Sequence, residues 1–256
     1  MSKLSIKNLC KTYIVNKKQN NVLKNITFEI NEGEMVAIMG PSGSGKSTLL
    51  YTVSGMDTAT AGTIDFFGTE LTTVTPNQMS DIRLDSMGFV FQQMHMLKNL
   101  SIYDNIILPA YQSKHGQSKE ARKAINQRAK ELMKKLGISD IADNDVNEVS
   151  GGQLQRACIC RSLINQPKIV FADEPTGALN QQNSAEVIAE LNKINKEGTT
   201  IMLVTHDMKV AAKCDRIMYI EDGCIRTEFT LGKFTDETSI KDRERSVTNY
   251  LMEMGW

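Results

Sequence analysis

A chain of 256 residues, 41% hydrophobic and 23% charged, is long enough for one large core or two smaller ones, and this make-up excludes disorder as its default state. Thirty Lys and Arg balance thirty Asp and Glu, which removes the broad positive field that nucleic-acid or anionic-membrane binding relies on. No apolar stretch approaches the ~20 residues needed to cross a bilayer.

In chain order, Leu4 to Leu9 and Ile26 to Ile30 predict short strands, and Met35 to Met39 a buried one that runs into a glycine-rich turn and a helix over Lys46 to Val53. Met1 to Leu9 interleaves Lys3 and Lys7 with its apolar positions and offers no signal-peptide core, so a cytoplasmic location is expected. From about Lys98 to Leu163 the pattern turns helical, with Ala121, Ala124, Ile125, Leu132, Met133 and Leu136 at spacings of three and four. Ile169 to Ala172 and Ile201 to Val204 lack alternation, as parallel strands buried on both faces do. Between them Ser184 to Asn195 places Val187, Ile188, Leu191 and Ile194 on one helical face, which makes a βαβ crossover. Arg216 to Ile220 and Cys224 to Phe229 flank Asp222-Gly223 and predict a tight hairpin. The charge-rich tail ends in Tyr250, Leu251, Met252 and Trp256, an amphipathic helix in outline.

The five cysteines, Cys10, Cys158, Cys160, Cys214 and Cys224, are odd in number and scattered, without metal-ligand spacing, and read as reduced thiols used in packing. His95 and His115 sit in polar, turn-like contexts that suit solvated side chains.

The turn after Met39 reads Gly40, Pro41, Ser42, Gly43, Ser44, Gly45, Lys46, Ser47, Thr48 and satisfies GxxxxGK(S/T) in full. Glycines let successive N–H groups converge on phosphate oxygens, and the following helix adds the positive end of its dipole. Lys46 supplies a point charge to the outer phosphates, and the Ser47 hydroxyl is placed to ligate Mg²⁺. A chance match in a chain of this length has odds of about one in a hundred, and the strand and helix on either side lower it further. The strand Ile169 to Ala172 then ends in Asp173 and Glu174. A carboxylate at the end of a buried strand is costly without a cation, so Asp173 is the candidate metal ligand and Glu174 the candidate general base for water. Ser150, Gly151, Gly152 and Gln153 open a second helix with Ser150 as its N-cap. One chain with one phosphate loop has no evident anion for this second helix start, so it is assigned to the nucleotide of another copy.

SGGQ at 150–153, with the phosphate loop before it and ADEPTGALN at 172–180 after it, resembles the nucleotide-binding subunit of ABC (ATP-binding cassette) transporters in order and spacing from Tyr13 to His206. The resemblance implies an α/β P-loop NTPase with a RecA-like core, an N-terminal antiparallel β subdomain and a helical subdomain at about 98–163. One ATP-binding domain would then fill 2–235, with a charged, amphipathic tail at 236–256. It further implies that Tyr13 stacks on adenine, that Gln92 contacts Mg²⁺ or water and begins the segment facing a membrane subunit, and that His206 holds the γ-phosphate, Glu174 and water in place. ATP and Mg²⁺ are the implied cofactors. The implied partners are a second copy of the chain and a permease with a large extracellular domain, on the inner face of the cell membrane, without nucleic acid.

Two positions depart from the family pattern: Val149 stands where Leu is common, and Asn180 where an Asp is usual at the dimer interface. VFQQMHML at 90–97 and GALN at 177–180 resemble the macrolide, lipoprotein and, most closely, bacitracin-type peptide-antibiotic systems. Lipoprotein-release or cell-division service in the same family stays open at this point. A soluble ABC ATPase acting on ribosomes or DNA would usually carry two cassettes or long coiled coils, and a small-molecule phosphotransferase has no use for SGGQ.

Overall fold

The computed structural model describes residues 2–235 and 239–255. In chain order it contains β1 (Ser2–Val15), β2 (Lys18–Asn31), β3 (Met35–Met39), α1 (Lys46–Val53), β4 (Ala61–Phe66), β5 (Thr69–Glu70), α2 (Pro76–Ser86), β6 (Met87–Phe91), α3 (Ile102–Gln112) and α4 (Lys119–Lys135). There follow α5 (Gly151–Leu163), β7 (Ile169–Asp173), α6 (Gln181–Lys196), β8 (Thr200–Val204), α7 (Met208–Ala211), β9 (Arg216–Glu221), β10 (Cys224–Thr230) and α8 (Ile240–Glu253). The chain divides into two compact units, one formed by the segments up to Thr75 and from Asn195 onward, the other by Pro76–Ile194.

The first unit holds an antiparallel sheet in the order β2-β1-β4-β5. β1 and β2 are far longer than the expected Leu4 to Leu9 and Ile26 to Ile30, because Asn16 and Lys17 both take positive φ and close a two-residue hairpin between Val15 and Lys18. The apolar alternation reports only the half-buried stretch: Leu23, Ile26, Phe28 and Ile30 are buried, while the outer residues of the hairpin are exposed, Ile14 and Val15 among them. The same unit contains the strand order β10-β9-β3-β8. β3 is parallel to both β8 and β9, and every residue of β3 and β8 is buried, which is why neither shows a polar face. β9 and β10 join through Asp222 and Gly223, both at positive φ, as the Asp-Gly signal requires.

The tail forms the amphipathic helix α8, with Val247 and Leu251 buried and Met252 facing out. It is fastened by Arg243, whose guanidinium donates to the carbonyl oxygens of Ala212, Cys214, Leu231 and Gly232 at 2.7 to 3.0 Å. Tyr250 stacks on Phe229 with ring centroids 4.7 Å apart. Trp256 and residues 236–238 lie outside the described residues.

The second unit pairs β6 with β7 in parallel, packs α2 and α5 on β6, and contains α3, α4 and most of α6. Helices α3, α4 and α5 occupy the stretch read as helical, and α2 was not foreseen because its single buried residue, Met79, gives it no apolar stripe. In α4 the buried face is Ile125, Ala129 and Met133, whereas Ala124 is exposed. Alanine contributes too little apolar surface to decide a helix's rotation. Cys158, Cys160 and Cys214 are buried free thiols, with burial pushing Cys158 up to about 11, and Cys10 and Cys224 are half-buried.

Candidate functional site

In the first unit the phosphate loop leaves the C-terminal end of β3. Gly40 takes φ 150°, and a Cβ there would stand 1.9 Å from the carbonyl oxygen of Ile220, so only glycine fits beside β9. The hairpin turn supports the loop from outside: Gly223 N–H donates to Ser44 O at 3.1 Å. Lys46 opens α1 and turns its ammonium back into the loop, donating to the carbonyl oxygens of Gly40 and Pro41 at 2.8 Å each. Pro41, Ser42 and Gly43 are exposed, while Gly45, Ser47 and Thr48 are half-buried. The Ser44 hydroxyl is buried and has no hydrogen-bond partner among the described residues. A buried hydroxyl in that position is costly unless an acceptor reaches it, and a phosphate oxygen in the loop is such an acceptor.

His206 follows β8, the parallel neighbour of β3, so it emerges at the same end of the strands as the phosphate loop. It is exposed and directly precedes Asp207, the N-cap of α7. Tyr13 lies near the end of β1 with its hydroxyl donating to Asp57 Oδ2 at 2.5 Å. Burial, then the neighbouring Asp57 carboxylate, raises the Tyr13 hydroxyl above its ordinary 10.0, which keeps it a donor.

In the second unit the register pairs Phe91 with Asp173, so Gln92 and Glu174 leave β6 and β7 side by side. Their side chains converge on Gly177: a Cβ built there would lie 2.8 Å from Gln92 Nε2 and 3.2 Å from Glu174 Oε2. Glu174 itself has φ 45°, a conformation that a non-glycine residue adopts at a cost of about 1–3 kcal/mol and that clusters at functional sites. Gly177 N–H closes the turn onto Glu174 O at 3.0 Å.

Ser150 caps α5 as expected, and the cap is reciprocal: Gln153 N–H donates to Ser150 Oγ at 3.3 Å and Ser150 N–H to Gln153 Oε1 at 2.9 Å. Gln153 therefore shapes the turn through its side chain. Gly152 is buried against Asn183, where a Cβ would stand 2.8 Å from the amide, and Arg156 bridges to Glu186 at 2.7 Å, so the starts of α5 and α6 pack tightly. Gly151 by contrast is exposed, with a Cβ meeting only Leu179 at an ordinary 3.5 Å. Asn180 keeps the capping role that an Asp would have, its Oδ1 accepting from Asn183 N–H at 2.9 Å, so the helix start survives loss of the charge.

Each unit thus groups its own expected residues: Tyr13, Gly40 to Thr48 and His206 in the first, and Gln92, Ser150 to Gln153, Asp173 and Glu174 in the second. Among the described residues no three His, Cys, Asp or Glu side chains gather as a metal centre. The set Ser47, Asp173 and Gln92 offers hydroxyl, carboxylate and amide oxygens, the hard donors that Mg²⁺ takes beside phosphate and water.

Four supporting residues escaped sequence reasoning. Lys11 and Asp57 hold Tyr13. Asn105, buried in α3, accepts from Leu97 N–H and donates to Leu97 O, Leu100 O and Ser101 O. Arg161, near the end of α5, donates to His95 O and Met94 O at 2.8 and 2.7 Å. The period-two pattern does put Lys11 on the same strand face as Tyr13, and Asn105 bonds only four to eight residues away, but Asp57 and Arg161 meet their partners across 44 and 67 residues, too far apart to leave a signal.

A family model described as "ABC transporter" matches residues 23–177, a span that includes the phosphate loop, Gln92, SGGQ, Asp173 and Glu174. The chain is 38% identical over 243 residues to the bacitracin export ATP-binding protein BceA of Halalkalibacterium halodurans, covering 94% of each. It is 42% identical over 223 residues to the macrolide export ATP-binding/permease protein MacB of Aggregatibacter actinomycetemcomitans, 87% of this chain but only 34% of that longer one. Among solved structures, the dimeric post-hydrolysis state of the ATP-binding cassette MJ0796 bound to ADP and Pi superposes with a TM-score of 0.81 at 37% identity, covering 90% of this chain and all of that one.

Proposed function

Because this chain belongs to the ABC transporter family as an ATP-binding, ATP-hydrolysing cassette, we propose that two copies close around two ATP molecules and that this closure drives a membrane permease. Each ATP would be held by Gly40 to Thr48 of one copy and by Ser150 to Gln153 of the other. The observation that carries this reading is the exposed, reciprocally capped start of α5, where Gly151 leaves the helix terminus open to an approaching phosphate although packing within the chain does not demand a glycine there. The dimeric MJ0796 cassette supports it.

The roles follow from the side chains. Lys46 sets a positive charge against the outer phosphates, and the Ser44 hydroxyl gains an acceptor from them. Ser47, Asp173 and Gln92 would hold Mg²⁺, which when bound offsets phosphate charge and orients the group to be transferred. Glu174 takes a proton from the attacking water, with Gln92 packed beside it at Gly177. His206 donates a hydrogen bond to the γ-phosphate, and Tyr13 stacks on the adenine. Loss of the γ-phosphate removes the bridge between copies and lets them part. We read 2–235 as one ATP-binding domain, with about 98–163 its helical subdomain and the segment from Gln92 to Leu100 facing a permease at the inner membrane surface.

The likeness over 94% of both chains to a bacitracin export ATP-binding protein supports a permease of the peptide-antibiotic type, with a large extracellular domain. Glu174→Gln tests the chemistry: ATP binding should persist, a closed dimer should accumulate with ATP, and turnover should fall by ~10²–10⁴. Unchanged hydrolysis would remove Glu174 from its role. Cells that lose the chain should become bacitracin-sensitive, and unaltered sensitivity would sink the antibiotic assignment alone.

A further inference from the structure

Three side chains around the end of β1 form a closed ring. Lys11 donates to Asp57 Oδ1 at 2.5 Å and to Thr58 O at 2.7 Å, Tyr13 donates to Asp57 Oδ2 at 2.5 Å, and the Lys11 ammonium lies 4.7 Å from the Tyr13 ring centroid, over its face. Lys11 is only 7% exposed, an unusual place for a lysine unless its charge is paired. Asp57 is itself anchored: its N–H, like that of Met56, donates to Tyr51 O in the last turn of α1. The aromatic ring is therefore referenced, through Asp57, to the helix whose first residue is the phosphate-loop Lys46.

Such a ring does two things to a stacking platform. The ammonium and stem of Lys11 occupy one face of the phenol, so a planar base has one face left. Locking the ring beforehand removes the cost of immobilising it when the base arrives. We propose that Lys11 and Asp57 are positioning residues for the nucleobase, clamping Tyr13 so that a single face is presented to adenine in register with the phosphate loop. The inference rests on Tyr13 being the adenine platform. A purely structural role, an ion pair that ties β1 to the turn after α1, is the alternative to exclude.

Inorganic tripolyphosphate separates the two, since it offers the phosphates without a base. In the full chain, Lys11→Met and Asp57→Asn should each weaken ATP binding by roughly three- to ten-fold and leave tripolyphosphate affinity unchanged. Combined with Tyr13→Ala, either change should add nothing further for ATP, because all three act through one contact. Lys11→Arg keeps a cation at the carboxylate and should restore most of the affinity, a check that also applies if Lys11→Met folds poorly. Parallel weakening of ATP and tripolyphosphate would overturn the proposal in favour of a structural pair. If Tyr13→Ala weakens ATP while Lys11→Met and Asp57→Asn do not, the clamp alone is wrong. If Tyr13→Ala has no effect, the platform reading falls and takes the clamp with it.

Discussion

Arg161 donates to the carbonyl oxygen of Met94 at 2.7 Å, so the helix that begins at the Ser150 turn also grips the segment that begins at Gln92. The second donation, to His95 O, the Cys158 thiol donating to Met94 O at 3.4 Å and the four bonds of Asn105 leave the backbone from Met94 to Ser101 held by side chains rather than by a ladder. α5 thereby joins the Ser150 turn to the Met94–His95 backbone of its own unit through one helix of 13 residues.

Arg161→Met keeps the apolar stem and removes the donors. It should cost about 1.5–3 kcal/mol, the worth of charge-assisted hydrogen bonds to carbonyls, and raise amide exchange over 92–100 while leaving β6 protected. Chemical denaturation and hydrogen exchange measure both quantities. Exchange in that segment equal to the wild type would mean that Asn105 and Cys158 brace it without Arg161.

Gly177 and Gly88 should respond oppositely to the same added methyl. At Gly177 the new Cβ meets the tips of Gln92 and Glu174, mobile ends that can yield, so stability should change by within about 0.5 kcal/mol while kcat falls as both groups are displaced. At Gly88 the Cβ would stand 2.5 Å from the backbone oxygen of Ser162, which cannot yield cheaply, and Gly88→Ala should cost about 1–3 kcal/mol. Melting curves alongside steady-state ATPase assays distinguish the cases. A Gly177→Ala protein with full activity would disconnect that convergence from turnover.

The clamp on Tyr13 has a defined pH window. Burial pushes the Asp57 carboxyl upward, but hydrogen bonds from Lys11, Tyr13 and the Thr58 N–H outweigh it and hold the group below its ordinary 3.8. A lowered carboxyl contributes stability that is present above its unfolded value and lost as pH falls through the folded one. The Tyr13 hydroxyl, raised by burial and then by Asp57, contributes fully below its ordinary value and loses that contribution as pH rises through the raised one. The preference for ATP over tripolyphosphate should therefore be flat from ~pH 5 to ~pH 9 and decline on either side. Lys11→Met removes a bond that favours the carboxylate and should move the acid limb upward. Competition binding across the range reads both limbs, and a limb that stays put in Lys11→Met would show that Lys11 does not set the Asp57 charge.

The local backbone of this protein was legible wherever it is written in contiguous residues. Gly40 to Thr48, Asp173-Glu174, Ser150 to Gln153 and the Asp222-Gly223 hairpin each specify a local backbone path, and a local path needs only neighbouring residues to define it. The buried strands β3, β7 and β8 announced themselves by lacking a polar face. Helix α2, with one buried residue, and the exposed outer half of the β1–β2 hairpin had no periodicity to read, because periodicity records burial and those stretches bury little. What tertiary structure alone decided is the set of side chains that hold the functional ones still. Asp57 meets Tyr13 across 44 residues, Arg161 meets Met94 across 67, and Gly177 separates Gln92 from Glu174 only because β6 and β7 run parallel in one register. Pairings of that kind depend on where distant segments are packed, and the spacing of residues along one chain carries no record of it.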